Sequence, residues 1–157
     1  VRRPSACGAF LLVYNYGHNR LKGERALQDA VREAITTFFK GDDNIRLVFL
    51  FGSMASGTAR PDSDADVAVL FAAPPSSLEL VDLRTSLEEH LRRDADLISL
   101  NSAGPIIKMQ VLKTGIQILG TKRDYEGFFV RTVNEYHDFK RIIAPLEEAV
   151  LRRRIYG

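Results

Sequence analysis

The run FGSMASGTARPDSDAD holds the residues best suited to chemistry: Gly52-Ser53, then ten residues, then Asp64 and Asp66. The Gly-Ser pair follows a nearly unbroken apolar run, Ile45 to Phe51, and the aspartates open another. Glycine lets a backbone come close to a phosphate, and the serine adds a hydroxyl donor. A helix beginning at Met54 would also aim free N–H groups and its positive dipole end at that anion. In a strand, residues i and i+2 share a face, roughly 6.5–7 Å apart. Asp64 and Asp66 can therefore present two carboxylates to one or two metal ions. Hard oxygen ligands suit Mg²⁺ or Mn²⁺, and Mg²⁺ commonly pairs a few carboxylates with substrate phosphates. Each half is weak by itself, since strand-Gly-Ser-helix turns are mostly structural and aspartates often cap turns. Together they fit chemistry on a nucleoside triphosphate. The G-x-x-x-x-G-K-[ST] pattern of a P-loop is absent.

A third carboxylate is expected from Asp96, inside the run Ala95 to Leu100. If that strand lies beside the Asp66 strand, Asp96 reaches the same metal site and can help remove an acceptor's proton. Asp94 has the same parity and is the rival, but it reads as a helix-end residue. Three carboxylates, two metals and a phosphate-holding turn suit in-line attack of a hydroxyl on the α-phosphate, with pyrophosphate leaving.

The elements that must position these groups follow from periodicity. A helix is expected over Lys22 to Lys40, with Leu27, Val31, Ala34, Ile35, Phe38 and Phe39 on one stripe. Ile45 to Phe51 reads as a buried strand, Met54 to Ser56 as the start of a short helix, and Asp66 to Phe71 as a second strand. Ser77 to Arg93 is helical, Ala95 to Leu100 a third strand, Pro105 to Lys113 a short helix and Gly115 to Leu119 an edge strand. Asp124 is expected to cap a long final helix to Ala144, with Pro145 kinking or restarting it. Most of that helix's stripe (Phe128, Phe129, Val133, Tyr136, Ile143 and Leu146) should pack on the domain's own sheet, a protein interface being the second reading. The fold class is α+β (mixed α/β), a small mixed sheet flanked by helices.

The chain has 157 residues, enough for one domain, here placed at 21–157. Residues 1–20 read as a tail, disordered or added in cloning, and carry no functional weight. With 22 basic and 20 acidic residues the net charge is only +2, so direct nucleic-acid binding is not expected. The basic clusters at Arg92-Arg93 and Arg152-Arg153-Arg154 read as solvated helix ends. A single cysteine, Cys7, fits a reducing cytoplasm. No apolar run approaches a membrane span. His18, His90 and His137 are scattered without metal-ligand spacing.

Gly52-Ser53, ten residues, then Asp64-x-Asp66 resembles the signature of the polymerase-β-like nucleotidyltransferases. The stretch LFGSMASGTARPDSDADVAVL in so short a chain looks like the minimal nucleotidyltransferase (MNT) branch, and Asp96-Leu97-Ile98 matches its third-aspartate strand. The resemblance spans about Ile45 to Leu119. It implies a polymerase-β-like fold and an antitoxin paired with a HEPT-domain toxin. The implied activity is transfer of AMP from ATP to a tyrosine of that toxin, which silences it. By motif match Gly52 and Ser53 would bind the triphosphate, Asp64 and Asp66 the metal, and Asp96 would complete the triad. Many relatives carry a basic residue where this chain has Met54. Arg60 either supplies the missing charge or is a solvated loop arginine. Ser63 either binds phosphate or, as the preferred reading, caps a turn.

The small size favours a protein acceptor over a small molecule, since relatives with small acceptors usually carry a second domain. A small-molecule acceptor stays as the enzymatic alternative. A binding module that neutralises its partner by contact alone is the non-enzymatic one. Homo-oligomerisation is left open.

Overall fold

The three apolar runs become neighbours in one four-stranded sheet of order β3-β2-β1-β4. The computed structural model describes residues 23, 25–58, 60 and 62–156, and the tail expected over 1–20 lies outside them. Residues 25–39 form α1. There follow β1 (Ile45–Phe51), α2 (Gly52–Ser56), β2 (Ala65–Phe71), α3 (Ser77–Leu91), β3 (Ala95–Ser99), α4 (Pro105–Thr114), β4 (Ile116–Gly120) and α5 (Lys122–Tyr156). β1 runs antiparallel to both β2 and β4, and β2 runs parallel to β3. The class is the α+β one expected.

β1 is apolar throughout its centre because both faces of the sheet are covered. Val48 and Leu50 join Val31, Ile35 and Phe39 of α1 and Leu87 of α3 on one side. Leu47 and Phe49 meet Val111 of α4 and Phe128 of α5 on the other. Alternate residues of one strand thus feed two cores, as a period of two requires.

The parallel β2–β3 pair needs a crossover, and α3 supplies it. Ser76 accepts from the Glu79 N–H at 3.3 Å while the Glu79 carboxylate accepts from the Ser76 N–H at 2.7 Å, a reciprocal cap. These bonds hold the Glu79 carboxyl below its ordinary pKa. At the other end Arg92 takes a left-handed conformation (φ 51°) and stops the helix. Its body ends at Leu91, short of the expected Arg93.

α5 differs more. Thr121, not Asp124, caps it: the Thr121 hydroxyl accepts from the Asp124 N–H at 3.1 Å and donates to the Asp124 carboxylate at 2.5 Å. The helix also continues through Pro145. Proline there forgoes one backbone hydrogen bond, which water can replace because the surrounding turns are exposed. Packing on the sheet holds for only part of the expected stripe. Phe128 is buried against Phe49 (centroids 6.1 Å apart), whereas Phe129 and Leu146 are 45% and 66% exposed, as is Ile142 beside the stripe at 72%.

Candidate functional site

The chemistry collects where β1 ends and β2 and β3 begin. Phe51 is extended, Gly52 turns to φ 68°, and α2 starts at once, two residues earlier than Met54. No side chain caps the first N–H groups of α2. Gly52 is needed twice over. Its φ is left-handed, which residues with a Cβ resist. A Cβ there would also overlap the Asp66 carboxylate, whose Cγ would lie 2.8 Å away. The glycine therefore leaves the room that the Asp66 carboxylate occupies, joining the two halves of the motif physically.

Ser53, Arg60, Asp62, Ser63, Asp64 and Asp66 line one cleft of about 350 Å³. Asp64 sits one residue ahead of β2, which begins at Ala65, yet it faces the same cleft as Asp66. The 60–63 loop is closed by two bonds: the Ser63 hydroxyl accepts from the Arg60 N–H at 2.8 Å, and the Ser63 N–H donates to the Arg60 carbonyl at 3.0 Å. The Ser63 hydroxyl thus serves a turn, the reading preferred from sequence.

Asp96 enters through strand register. Asp66 pairs directly with Asp96 across the parallel β2–β3 ladder, on strands about 4.8 Å apart. Asp94 lies outside β3 and contributes its carbonyl, which accepts from the Ala65 N–H at 3.0 Å. Burial pushes the Asp66 carboxyl above its ordinary pKa, and the nearby charges of Asp96 and Asp64 push it the same way.

A partly buried Asp66 carboxyl with the charges of Asp96 and Asp64 beside it belongs to a donor set suited to a divalent cation. Among the described residues, no three His, Cys, Asp or Glu side chains close into a finished metal cage. The two observations agree for a hard cation that keeps water and takes phosphate oxygens as further ligands. The residues present fit such an ion bound together with its substrate.

Three positioning residues were not anticipated from sequence. Met54 is buried (1% exposed), so its side chain belongs to the core and not to the phosphate turn. Arg93, read earlier as a solvated helix end, reaches back to donate to the Ser63 carbonyl at 2.9 Å and approaches the Met54 sulfur at 4.0 Å. It braces the loop that carries Asp64. Gln28 of α1 donates to the Met54 carbonyl at 2.6 Å and so holds α2 from the other side. No local pattern marks either polar residue, because both act across more than twenty residues of sequence. Arg93→Gln should lower the turnover of the chemistry at this cleft by about tenfold with little change in substrate KM, and Arg93→Lys should restore part of it. Steady-state kinetics of the two variants check this; equal loss in both would mean the ammonium cannot replace the guanidinium brace.

A family model described as polymerase beta, nucleotidyltransferase, matches residues 33–124. The chain is 39% identical over 97 residues to the protein adenylyltransferase MntA of Shewanella oneidensis, covering 60% of this chain and 70% of that one. A toxin–antitoxin crystal structure with AMP-PNP superimposes with a TM-score of 0.71 at 30% identity, covering 76% of this chain and 98% of that one. A structure of tri-AMPylated Shewanella oneidensis HEPN toxin in complex with MNT antitoxin gives a TM-score of 0.68 at 28% identity, covering 79% and 98%. With Gly52, Ser53 and the aspartates gathered at one end of the shared sheet, the chain belongs to the polymerase-β-type nucleotidyltransferase family and is a homologue of the MntA protein adenylyltransferases.

Proposed function

We propose that this protein transfers AMP from ATP to a tyrosine hydroxyl of a HEPN-type (HEPT) toxin and thereby neutralises it. The observation that carries this reading is the single cleft joining Ser53 and Arg60 to Asp64 and Asp66, with Asp96 in register beside them. The relatives support it, as protein adenylyltransferases and as antitoxins solved with a modified toxin. The described residues fold around one continuous sheet, and residues 21–157 are assigned to that one domain. No helix among the described residues is long and apolar enough to cross a membrane, and we place the protein in the cytoplasm.

Gly52 and Ser53 would bring backbone N–H groups and a hydroxyl to the triphosphate, and Arg60, which lines the same cleft, would add its positive charge. Asp64, Asp66 and Asp96 would hold Mg²⁺, with Mn²⁺ an acceptable substitute. The bound ion would neutralise charge on the phosphates and on the attacking and leaving oxygens. The tyrosine oxygen attacks the α-phosphorus, the bond to the bridging oxygen breaks, and pyrophosphate departs. Asp96 accepts the hydroxyl proton, and Arg93 keeps the Asp64 loop in place.

The contact-only reading keeps one observation in its favour, the exposed apolar stripe of Ile142, Leu146 and Val150 on α5. Incubation with a HEPN-type toxin from the same genome, Mg²⁺ and α-labelled ATP separates the two. Label on the toxin, lost after Tyr→Phe substitution of the acceptor, is the expected result. Tight toxin binding with no label, at ATP concentrations that saturate the protein, overturns the enzymatic reading.

A further inference from the structure

The opposite end of the sheet holds a second and larger cavity, about 790 Å³, among the residues that open β1 and close β2. Strands β1 and β2 have seven residues each, so the two ends lie roughly 20 Å apart. Its lining is dominated by three arginines, Arg46, Arg123 and Arg131, facing a single carboxylate, Asp124. Asp124 is already engaged by the Thr121 hydroxyl. Among the described residues none of the three guanidiniums has an acidic partner.

Two local features bring these three arginines, all exposed, to one pocket. The β1–β2 ladder shifts register between Ile45 and Leu47. Arg46 therefore sits at an irregularity of the kind that redirects a side chain. On α5, Arg123, Gly127 and Arg131 recur at intervals of four, so both arginines and the glycine share one face. A Cβ at Gly127 would meet nothing within 4 Å. Packing within the chain does not demand this glycine, and glycine in a helix interior is unfavourable relative to alanine. Its place between two arginines leaves clear space on the cavity wall. The wall is also firm: the Asn101 side chain accepts from the Phe71 N–H and donates to the Phe71 carbonyl, both at 2.9 Å.

We propose that this cavity binds a small phosphate-bearing anion, with Arg46, Arg123 and Arg131 as its ligands and Gly127 as the surface it lies against. Guanidinium forks match phosphate oxygens in pairs. Three of them against one engaged carboxylate suit a ligand of more than one negative charge. The volume is that of a small-ligand site, typically about 300–1,000 Å³. A nucleic-acid backbone fits less well, because it needs an extended basic track and the whole chain carries a net charge of only +2.

The test is calorimetric titration of the full chain in EDTA, which removes metal-assisted nucleotide binding at the catalytic cleft. The probes are inorganic phosphate, pyrophosphate and ATP, with sulfate as control. One-to-one saturable binding is expected, weakened at least about tenfold in Arg123→Gln/Arg131→Gln. Gly127→Leu should weaken it equally while raising the melting temperature, since that variant adds a helix-favouring side chain in open space. Pyrophosphate binding more tightly than ATP would identify a free polyphosphate as the ligand; the reverse order would identify a nucleotide. The proposal fails if no probe saturates, if sulfate binds as well as pyrophosphate, or if the Gly127 and arginine variants bind unchanged. It also fails if a single-stranded oligonucleotide binds this face more tightly than any of the probes.

Discussion

Asp64→Asn combined with Asp66→Asn is expected to lower nucleotide transfer by at least about a thousandfold, equivalent to roughly 4 kcal/mol of transition-state stabilisation. Both carboxylates face one cleft, and Asp96 pairs in register with Asp66 on the neighbouring strand. Asparagine keeps the shape and removes the charge. Stability should move the other way. Burial and like charges raise the Asp66 pKa on folding. The folded state therefore binds more protons than the unfolded one in that window, and stability falls as pH rises through it. A neutral residue escapes that penalty, so the double variant should melt no lower than wild type at pH 7. Labelled-ATP transfer and a thermal melt on one preparation check both halves. Retained transfer would remove the aspartates from the chemistry; a lowered melting temperature would make their role structural.

Gly52→Ala should be nearly as damaging although it touches no carboxylate chemically. Alanine at φ 68° costs about 1–2 kcal/mol. Its Cβ also displaces the Asp66 carboxylate, and a displacement of that kind can lower a rate by about a hundredfold. Gly57 provides the control. It is also left-handed (φ 71°), but a Cβ there meets nothing within 4 Å. Gly57→Ala should lose comparable stability and keep most of its transfer activity. If both variants lose activity equally, backbone strain alone explains Gly52, and its contact with Asp66 is incidental.

The strands were legible in the sequence because apolar runs bounded by glycine, proline and aspartate leave few alternatives. Ile45 to Phe51 was recoverable to the residue. The motif residues were legible because their spacing is local: ten residues from Ser53 to Asp64, one between the aspartates. The position of Asp96 required one guess, that β3 lies beside β2, and the ladder pairs Asp96 with Asp66. What escaped were interactions spanning long stretches of chain. Arg93 and Gln28 look like ordinary surface residues until the fold brings them to α2 and to the Ser63 loop. Met54 was read as a departure at the phosphate turn because its neighbours are functional, yet its side chain packs inward. The end of α5 escaped for a different reason. A proline in an exposed helix loses a hydrogen bond that water can replace, so Pro145 does not end the helix.

The fixed length of α3 has a consequence at the other end of the crossover. The helix is closed at its start by the Ser76–Glu79 reciprocal bonds and at its finish by left-handed Arg92. Between those stops it meters how far β3 advances along β2. Side chains alternate faces along a strand, so a slip of one residue would turn Asp96 away from Asp66. α3 thus works as a spacer gauge for the carboxylates, and the number of residues in a solvent-facing helix becomes part of the catalytic geometry.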